Sequence, residues 1–453
     1  MDYRYRSDEE LKTVNSEWFE LVPNKWNVLM FKRVVESVKN GIWGDEPKNN
    51  EDDIPCIRIL NFNRNEMEVD IEDLTTRNIP VVKQRDFLLK KGDLLIEKSG
   101  GGEKNPVGFV ARYNHDLPAV YANFMAKISL KKTEARSDYV KYLCSNIYNK
   151  RIHLDAVNQT TGIQNLDTET YFKRLIPLPN INEQQKIAKF LDKKTAQFDS
   201  IIFKKEALIE KLEEAKKSLI SEVVTGKVKV VKTDDGYELV ERKKEEMKDS
   251  GVEWLGNVPN IWQQYRSKYL WRKEKREVRE GDGVVTAFRD GQVTLRENRR
   301  TDGFTFAIKE VGYQGVLRGD LVISAMDAFA GAMGISESDG KCSPVYSVCS
   351  PIKKLIPNYY SYLLKEMSQK GYILSLAKGI RERSTDFRYS EFANTILLYP
   401  SFAEQEVISD FLDKKVIEIN QFINKIKKQI QKLKEAKQSL ISEAVTGKIE
   451  ILD

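Results

Sequence analysis

Few of the 453 residues have the type and spacing that covalent chemistry requires. Cys56, Cys144, Cys342 and Cys349 form no Cys-x-x-Cys pair, and the two histidines, His115 and His153, lie far apart in the sequence. A zinc site needs four soft ligands at workable spacings, and none can be assembled here. The thiols are expected to be reduced and mostly buried. The stretch Ser99-Gly100-Gly101-Gly102-Glu103-Lys104 is glycine-rich, yet it lacks the G-x-x-x-x-G-K-[ST] spacing with which a loop cradles phosphates. Asp93 with Glu97-Lys98 has the residue types of a metal-dependent nuclease strand. The matching stretch later in the chain keeps Asp320 but continues into Ser324-Ala325, losing both the carboxylate and the lysine. No Asn/Asp-Pro-Pro-Tyr/Phe motif of the kind amino-methyltransferases use is present. The expectation is a chain with no catalytic residue, no metal site and no cofactor of its own.

The chemistry that remains is recognition. Between Arg266 and Arg300 eleven Lys/Arg stand against six Asp/Glu, interleaved with Tyr269, Trp271 and Phe288. Cations of this density neutralise phosphates. Polar side chains among them have the donors and acceptors that read base edges. The candidate DNA-binding residues here are Arg289, Gln292, Arg296, Arg299 and Arg300. In the first half they are Arg58, Asn61, Lys98, Asn105, Gln159 and Thr160, and Lys378, Arg381 and Arg383 occupy the position corresponding to that last loop. The plainer reading, solvated loops and strand edges, holds for most of these residues taken singly. The net charge of +6 permits a nucleic-acid partner without demanding one.

The elements that would carry these residues are written twice. KLEEAKKSLISEVVTGKVKV (Lys211–Val230) returns as KLKEAKQSLISEAVTGKIEI (Lys432–Ile451), an offset of 221 residues (432 − 211). Upstream at the same offset, Glu183-Gln184 answers Glu404-Gln405, and Phe190–Lys194 answers Phe411–Lys415. EWFELVPNKW, with Trp18, Pro23 and Trp26, is mirrored by EWLGNVPNIW, with Trp254, Pro259 and Trp262. Each half therefore opens with a Trp/Pro motif, closes with a long charged helix and differs in between.

Asn180-x-x-Glu183 and Ser401-x-x-Glu404 have capping-box spacing, and Thr225-Gly226 and Thr446-Gly447 are stop signals. Between them runs a seam in alternating steps of four and three, which predicts coiled-coil helices. Its apolar members are Leu191, Phe198, Ile202, Ile209, Leu212 and Leu219 in the first copy. In the second they are Leu412, Ile419, Ile423, Ile426, Ile430, Leu433 and Leu440. About 45 residues at roughly 1.5 Å each make a rod on the order of 65 Å. Pairing of the two rods would cover both seams, and an antiparallel pair would act as a ruler between the unlike middles. The alternative is that each rod packs separately on its own domain. The middles themselves have strand composition in IPCIRILNF, GDLLIEKS and VYANFMAKISL, echoed by VVTAF, GDLVISAM and PVYSVCSPI.

With its tandem EW…VPxxW openings, KGDLLI/RGDLVI strands, LPLPNINEQQKIAKFLDKK and LLYPSFAEQEVISDFLDKK passages and paired SLISExVTGK helix ends, the sequence closely resembles the specificity subunit of type I restriction–modification systems. DSGVEWLGNVP (Asp249–Pro259) is especially like that family's domain opening, from which the first copy, preceded by MDYRYRSDEELKT, departs. The resemblance implies an α+β fold in which two mixed α/β target recognition domains are separated by two long antiparallel coiled-coil helices, with pseudo-two-fold symmetry. The expected boundaries are 1–178 and 251–398 for the recognition domains, 179–226 and 399–453 for the helical spacers, and 227–250 for a linker. It also implies a non-catalytic subunit that reads a bipartite site in double-stranded DNA. Two methyltransferase (M) subunits and the restriction (R) subunits would be its partners, bringing S-adenosylmethionine, ATP and Mg2+ and performing adenine-N6 methylation or cleavage. Two other classes stand beside it: a DNA-modifying or DNA-cleaving enzyme with its own active site, and a coiled-coil adaptor that never touches DNA. No run of about 18 apolar residues offers a membrane span, and a cytoplasmic location is the expectation.

Overall fold

The computed structural model describes residues 2–160, 162–299, 311–376 and 386–452. They form two compact units, Met1–Ala207 with Ile426–Asp453, and Leu208–Lys425. Two long helices, Ile181–Val224 and Phe402–Thr446, each contribute one end to each unit. The fold is α+β, and among the described residues no helix is long and apolar enough to cross a membrane.

In the first unit the central strand Asp93–Glu97 lies between Met125–Leu130 and Val110–Tyr113, antiparallel to both. Val35–Asn40 extends the sheet beyond Met125–Leu130, and the short strands Glu68–Val69 and Phe62–Asn63 extend the other side. Leu94, Leu95 and Ile96 are all fully buried. The unbroken apolar run, instead of an alternation, marks a strand covered on both faces. The helix Ser137–Asn149 packs on this sheet and buries Tyr139, Val140, Tyr142, Leu143 and Ile147. VYANFMAKISL, which reads as one strand, is broken into Val120–Tyr121 and Met125–Leu130 by a turn closed by Met125 N donating to Ala122 O (3.1 Å).

The second unit repeats the plan: Trp271–Lys273, Tyr346–Pro351, Leu321–Ser324 and Met333–Ile335 are ordered as their counterparts are, and Pro357–Gln369 is the covering helix. Repeated polar contacts join that helix to both long helices. In the first unit, fully buried Gln184 accepts from Arg136 N (2.9 Å) and donates to the carbonyls of Glu134 and Pro179 (both 2.9 Å). In the second, Gln405 accepts from Ile356 N (2.9 Å) and donates to Pro400 O (2.9 Å). Tyr139 donates to Val445 O (3.2 Å) and Tyr359 to Val224 O (3.0 Å). Tyr142 donates to Asp192 and Tyr362 to Asp413, both at 2.7 Å.

Within each unit the two long helices run antiparallel. Lys437 bonds both carboxylate oxygens of Asp199 (2.7 and 2.8 Å) and Lys205 bonds Gln429 (2.7 Å), so one index falls as the other rises. The rung at the corresponding place in the second unit is Lys216 to Asn420 (2.9 Å). Half of each expected capping box forms: Asn180 and Ser401 accept from the amides of Glu183 (3.0 Å) and Glu404 (3.3 Å). The two carboxylates are instead engaged by arginine, Glu183 by Arg6 (3.0 Å) and Glu404 by Arg242, with Trp262 Nε1 also donating to Glu404 (2.9 Å). A guanidinium beside a helix start is a stronger partner for a carboxylate than the cap amide.

The Trp/Pro openings meet the helix stops. Gly447 (φ +75°) is pressed against Pro23, 2.4 Å from where a Cβ would stand, and Gly226 (φ +76°) against Pro259 at 2.5 Å. Residues 227–250, read from sequence as a linker, are ordered: Val228–Thr233 and Gly236–Glu241 form a hairpin, followed by Met247–Asp249. The first unit builds the same pair from distant segments. Tyr3–Tyr5 lies antiparallel to Ile449–Ile451, with Tyr3 opposite Ile451 as Leu239 is opposite Val230.

Gln184→Ala would strand one buried amide and two carbonyls. It is expected to lower the stability of the first unit by about 1–3 kcal/mol, read as a lower urea midpoint at unchanged slope. Gly447→Ala, barred by both φ and Pro23, is expected to cost more than about 1 kcal/mol in the same titration.

Candidate nucleic-acid interface

In the first unit several candidate residues gather where the central strand ends. Glu97 closes the strand, and Lys98 follows with its Nζ bonded to Asn40 Oδ1 (2.8 Å). Its backbone joins two further segments, Lys98 N donating to Phe124 O (2.8 Å) and Lys98 O accepting from Leu166 N (2.8 Å). The hairpin Val157–Thr160/Ile163–Leu166 is thereby fixed beside the strand end, and Ser99–Gly100 pairs with its second arm. Gln159 is exposed on that hairpin and accepts weakly from Gln164 (3.5 Å), while Thr160 lies opposite Ile163. Asn105 is exposed and lines a cleft of about 350 Å³ with Arg64, Tyr148 and Lys437.

Arg58 is half-buried, and its Nε is enclosed without a hydrogen bond. Asn61 differs from the expectation. Only 5% exposed, it accepts from Arg58 N (2.8 Å) and donates to Asp73 O (2.8 Å), so its amide holds the loop instead of facing outward. Arg64, which sequence reasoning missed, sits over Phe109 (4.6 Å) and Tyr148 (5.7 Å) and is paired with buried Glu97.

In the second unit the hairpin Val285–Ala287/Val293–Leu295 collects the other candidates. Arg289 pairs with Asp327 (2.8 Å), Gln292 donates to Glu337 (3.0 Å), and Arg296 Nε donates to Thr286 (3.3 Å). Arg299 bonds both oxygens of Asp290 (2.7 and 2.9 Å) and lies over Phe288 (4.4 Å). Surface pairs of this kind contribute about 0–1 kcal/mol each, so a phosphate or a guanine edge can exchange for the carboxylate at little cost. Arg300, Lys378, Arg381 and Arg383 lie outside the described residues.

Residues 23–214 match the family model described as the type I restriction modification DNA specificity domain. The putative type I restriction enzyme MjaX specificity subunit of Methanocaldococcus jannaschii is 27% identical over 267 residues, 57% of this chain and 55% of that one. The EcoBI specificity subunit of Escherichia coli is 23% identical over 339 residues, 67% of this chain and 66% of its own. The alignments thus span between about half and two thirds of these relatives. Among solved structures, the HsdS subunit from Thermoanaerobacter tengcongensis superposes with a TM-score of 0.51 at 14% identity, covering 94% of this chain and 98% of that one. A chain from a study of complex assembly and conformational transition in the type I R-M system gives 0.64 at 14% identity, covering 94% and 99%. Residues 23–214 are thus similar to the type I restriction modification DNA specificity domain, and the two solved structures share the fold of the chain.

The apolar helix seam is covered along both long helices. Leu191, Ile202, Leu412, Ile423, Ile426, Ile430 and Leu440 are buried, and Phe198, Ile209, Leu212, Leu219, Ile419 and Leu433 are partly so. Phe203 and Phe422, off the seam, are exposed. All four thiols are free and buried, and burial pushes each up to about 12, which leaves them unreactive. The signal that could have found Arg64 is its neighbourhood, an arginine between polar residues in NFNRNE just after an apolar strand.

Burial pushes the Glu97 carboxyl up to about 7, with the Arg64 guanidinium opposing. A carboxyl raised on folding contributes stability that is complete below its unfolded value near 4.5 and is lost as pH rises through 7. The first unit is therefore expected to lose about 1–3 kcal/mol between roughly pH 5 and pH 8. Glu97→Gln should flatten that slope in urea titrations. Stability that climbs over this range would show that Arg64 keeps the carboxylate ionised.

Proposed function

We propose that this chain is the DNA-reading subunit of a type I restriction–modification complex, each unit reading one half of a bipartite site in double-stranded DNA. The observation that carries the reading is one scaffold used twice with different side chains at the same place. Glu97-Lys98 ends the central strand of the first unit and Ser324-Ala325 that of the second. A structural role would retain these residues with the sheet; two different half-sites call for different ones. Phosphate contacts supply affinity independent of sequence, and a few base-edge contacts of about 1–3 kcal/mol each supply discrimination.

The helix segments that match almost word for word suit docking of two identical subunits. We assign that place to methyltransferase subunits that hold S-adenosylmethionine, with restriction subunits supplying ATP- and Mg2+-dependent cleavage. The chain itself performs no chemistry in this reading. Incubated alone with S-adenosylmethionine, ATP, Mg2+ and DNA, it is expected to leave the DNA unaltered; methylation or cleavage there would favour an enzyme instead.

Replacing residues 27–178 with the corresponding domain of another family member is expected to change one half of the methylated motif and preserve the other. The readout is methylome sequencing, and a change in both halves or in neither contradicts the modular reading. Lys98→Ala in the assembled complex should reduce the slope of log affinity against log salt by about 1, as loss of one phosphate contact does.

A further inference from the structure

Both units present a large apolar side chain at the same point of the same turn. In the first, Ala122-Asn123-Phe124-Met125 is closed by Met125 N to Ala122 O (3.1 Å). In the second, Ser343-Pro344-Val345-Tyr346 is closed by Tyr346 N to Ser343 O (3.1 Å). The residue in third place is 51% exposed as Phe124 and 43% exposed as Val345. Its carbonyl is clamped by the residue that follows the central strand, Lys98 N to Phe124 O (2.8 Å) and Ala325 N to Val345 O (2.9 Å). That residue's own carbonyl in turn accepts from the next segment, Leu166 N (2.8 Å) and Phe387 N (2.9 Å). The main chain is thus pinned on two sides while the side chain stays outside the core.

The adjoining segments also carry exposed apolar side chains: Ile163 is 52% exposed on the hairpin, and Met326, next to Ala325, is 54% exposed. Polar groups stand beside Phe124, whose carbonyl accepts from the amides of both Lys98 and Ser99. Lys98 is bonded to Asn40 and Ser99 to Asn165 by side-chain hydrogen bonds, and all four are at least partly exposed. An apolar tip held rigidly among ammonium, amide and hydroxyl groups suits a surface that alternates methyl groups with donors and acceptors. The major-groove edge of a base pair is such a surface, and thymine is the base that places a C5-methyl there. Rigid presentation also spares the ordering cost that a mobile loop would incur on binding.

We propose that Phe124 and Val345 are specificity-determining residues, each making the apolar contact of its unit with a thymine methyl in the major groove. The inference rests on the DNA-reading function proposed above and adds which side chain discriminates and against what. Phe124 is exposed, so Phe124→Ala leaves the core intact. In the complete methyltransferase complex this variant is expected to relax one T·A position in one half of the motif, with about 10- to 100-fold less discrimination there. The other half and the salt slope should be unchanged, since no charge is lost. Val345→Ala should act only on the opposite half, and Phe124→Leu, still apolar, should retain most of the discrimination. Replacing the affected thymine by uracil in a synthetic duplex should weaken the unaltered complex and leave the Phe124→Ala complex indifferent. Methylation of the original motif at the original rate by Phe124→Ala would overturn the proposal, as would relaxation at a G·C pair or loss of both halves together. Failure of the DNA-reading function itself looks different: the unaltered complex would then show no motif at all.

Discussion

The joint between the β-rich part of each unit and the long helices is made by a few buried polar groups, and the placement of the surface residues within that unit depends on it. Gln184 or Gln405, at the start of one long helix, satisfies backbone groups of the domain. Tyr139 or Tyr359, on the domain's covering helix, reaches the last turn of the other long helix. A buried amide or phenol left unpaired is costly, so these contacts permit essentially one seating of domain on helix. Apolar packing alone, being non-directional, would tolerate several.

That constraint explains the uneven divergence within the chain. The glutamines, the tyrosines, the glycines wedged on Pro23 and Pro259, and the arginines that clasp Glu183 and Glu404 recur in both units. They belong to the joint, where a substitution leaves a buried group without its partner. Past the end of the central strand the restriction is lifted, because Lys98 and Ala325 make the same backbone hydrogen bonds with unlike side chains. Side-chain chemistry can therefore vary at this point without disturbing the sheet that presents it. In the proposed function this separation lets one scaffold read two different half-sites.

The polar surface is itself internally bonded. Arg289, Arg299, Gln292 and Lys98 each have a side-chain partner. Such pairs hold long side chains in defined directions while remaining weak enough to exchange for an anion. Arg64 is held on two sides, by the buried Glu97 carboxyl and by the two aromatic rings beneath its guanidinium.

How much was legible in the sequence follows from which interactions are local. The long helices, their stops and their covered seam were readable because caps and heptad spacing act over a few residues, as were the strands Asp93–Glu97 and Leu321–Ser324. The duplication, with its offset of 221 residues, needed only comparison of the chain with itself. Tertiary structure decided what depends on distant segments meeting. It turned Asn61 inward to Asp73 O, took Glu183 from its cap to Arg6, and broke VYANFMAKISL into a turn that leaves Phe124 outside. It also paired Tyr3–Tyr5 with Ile449–Ile451, a match no local pattern contains. Periodicity reports which face of an element is covered; only the folded chain determines which partner covers it and which side chain is left free.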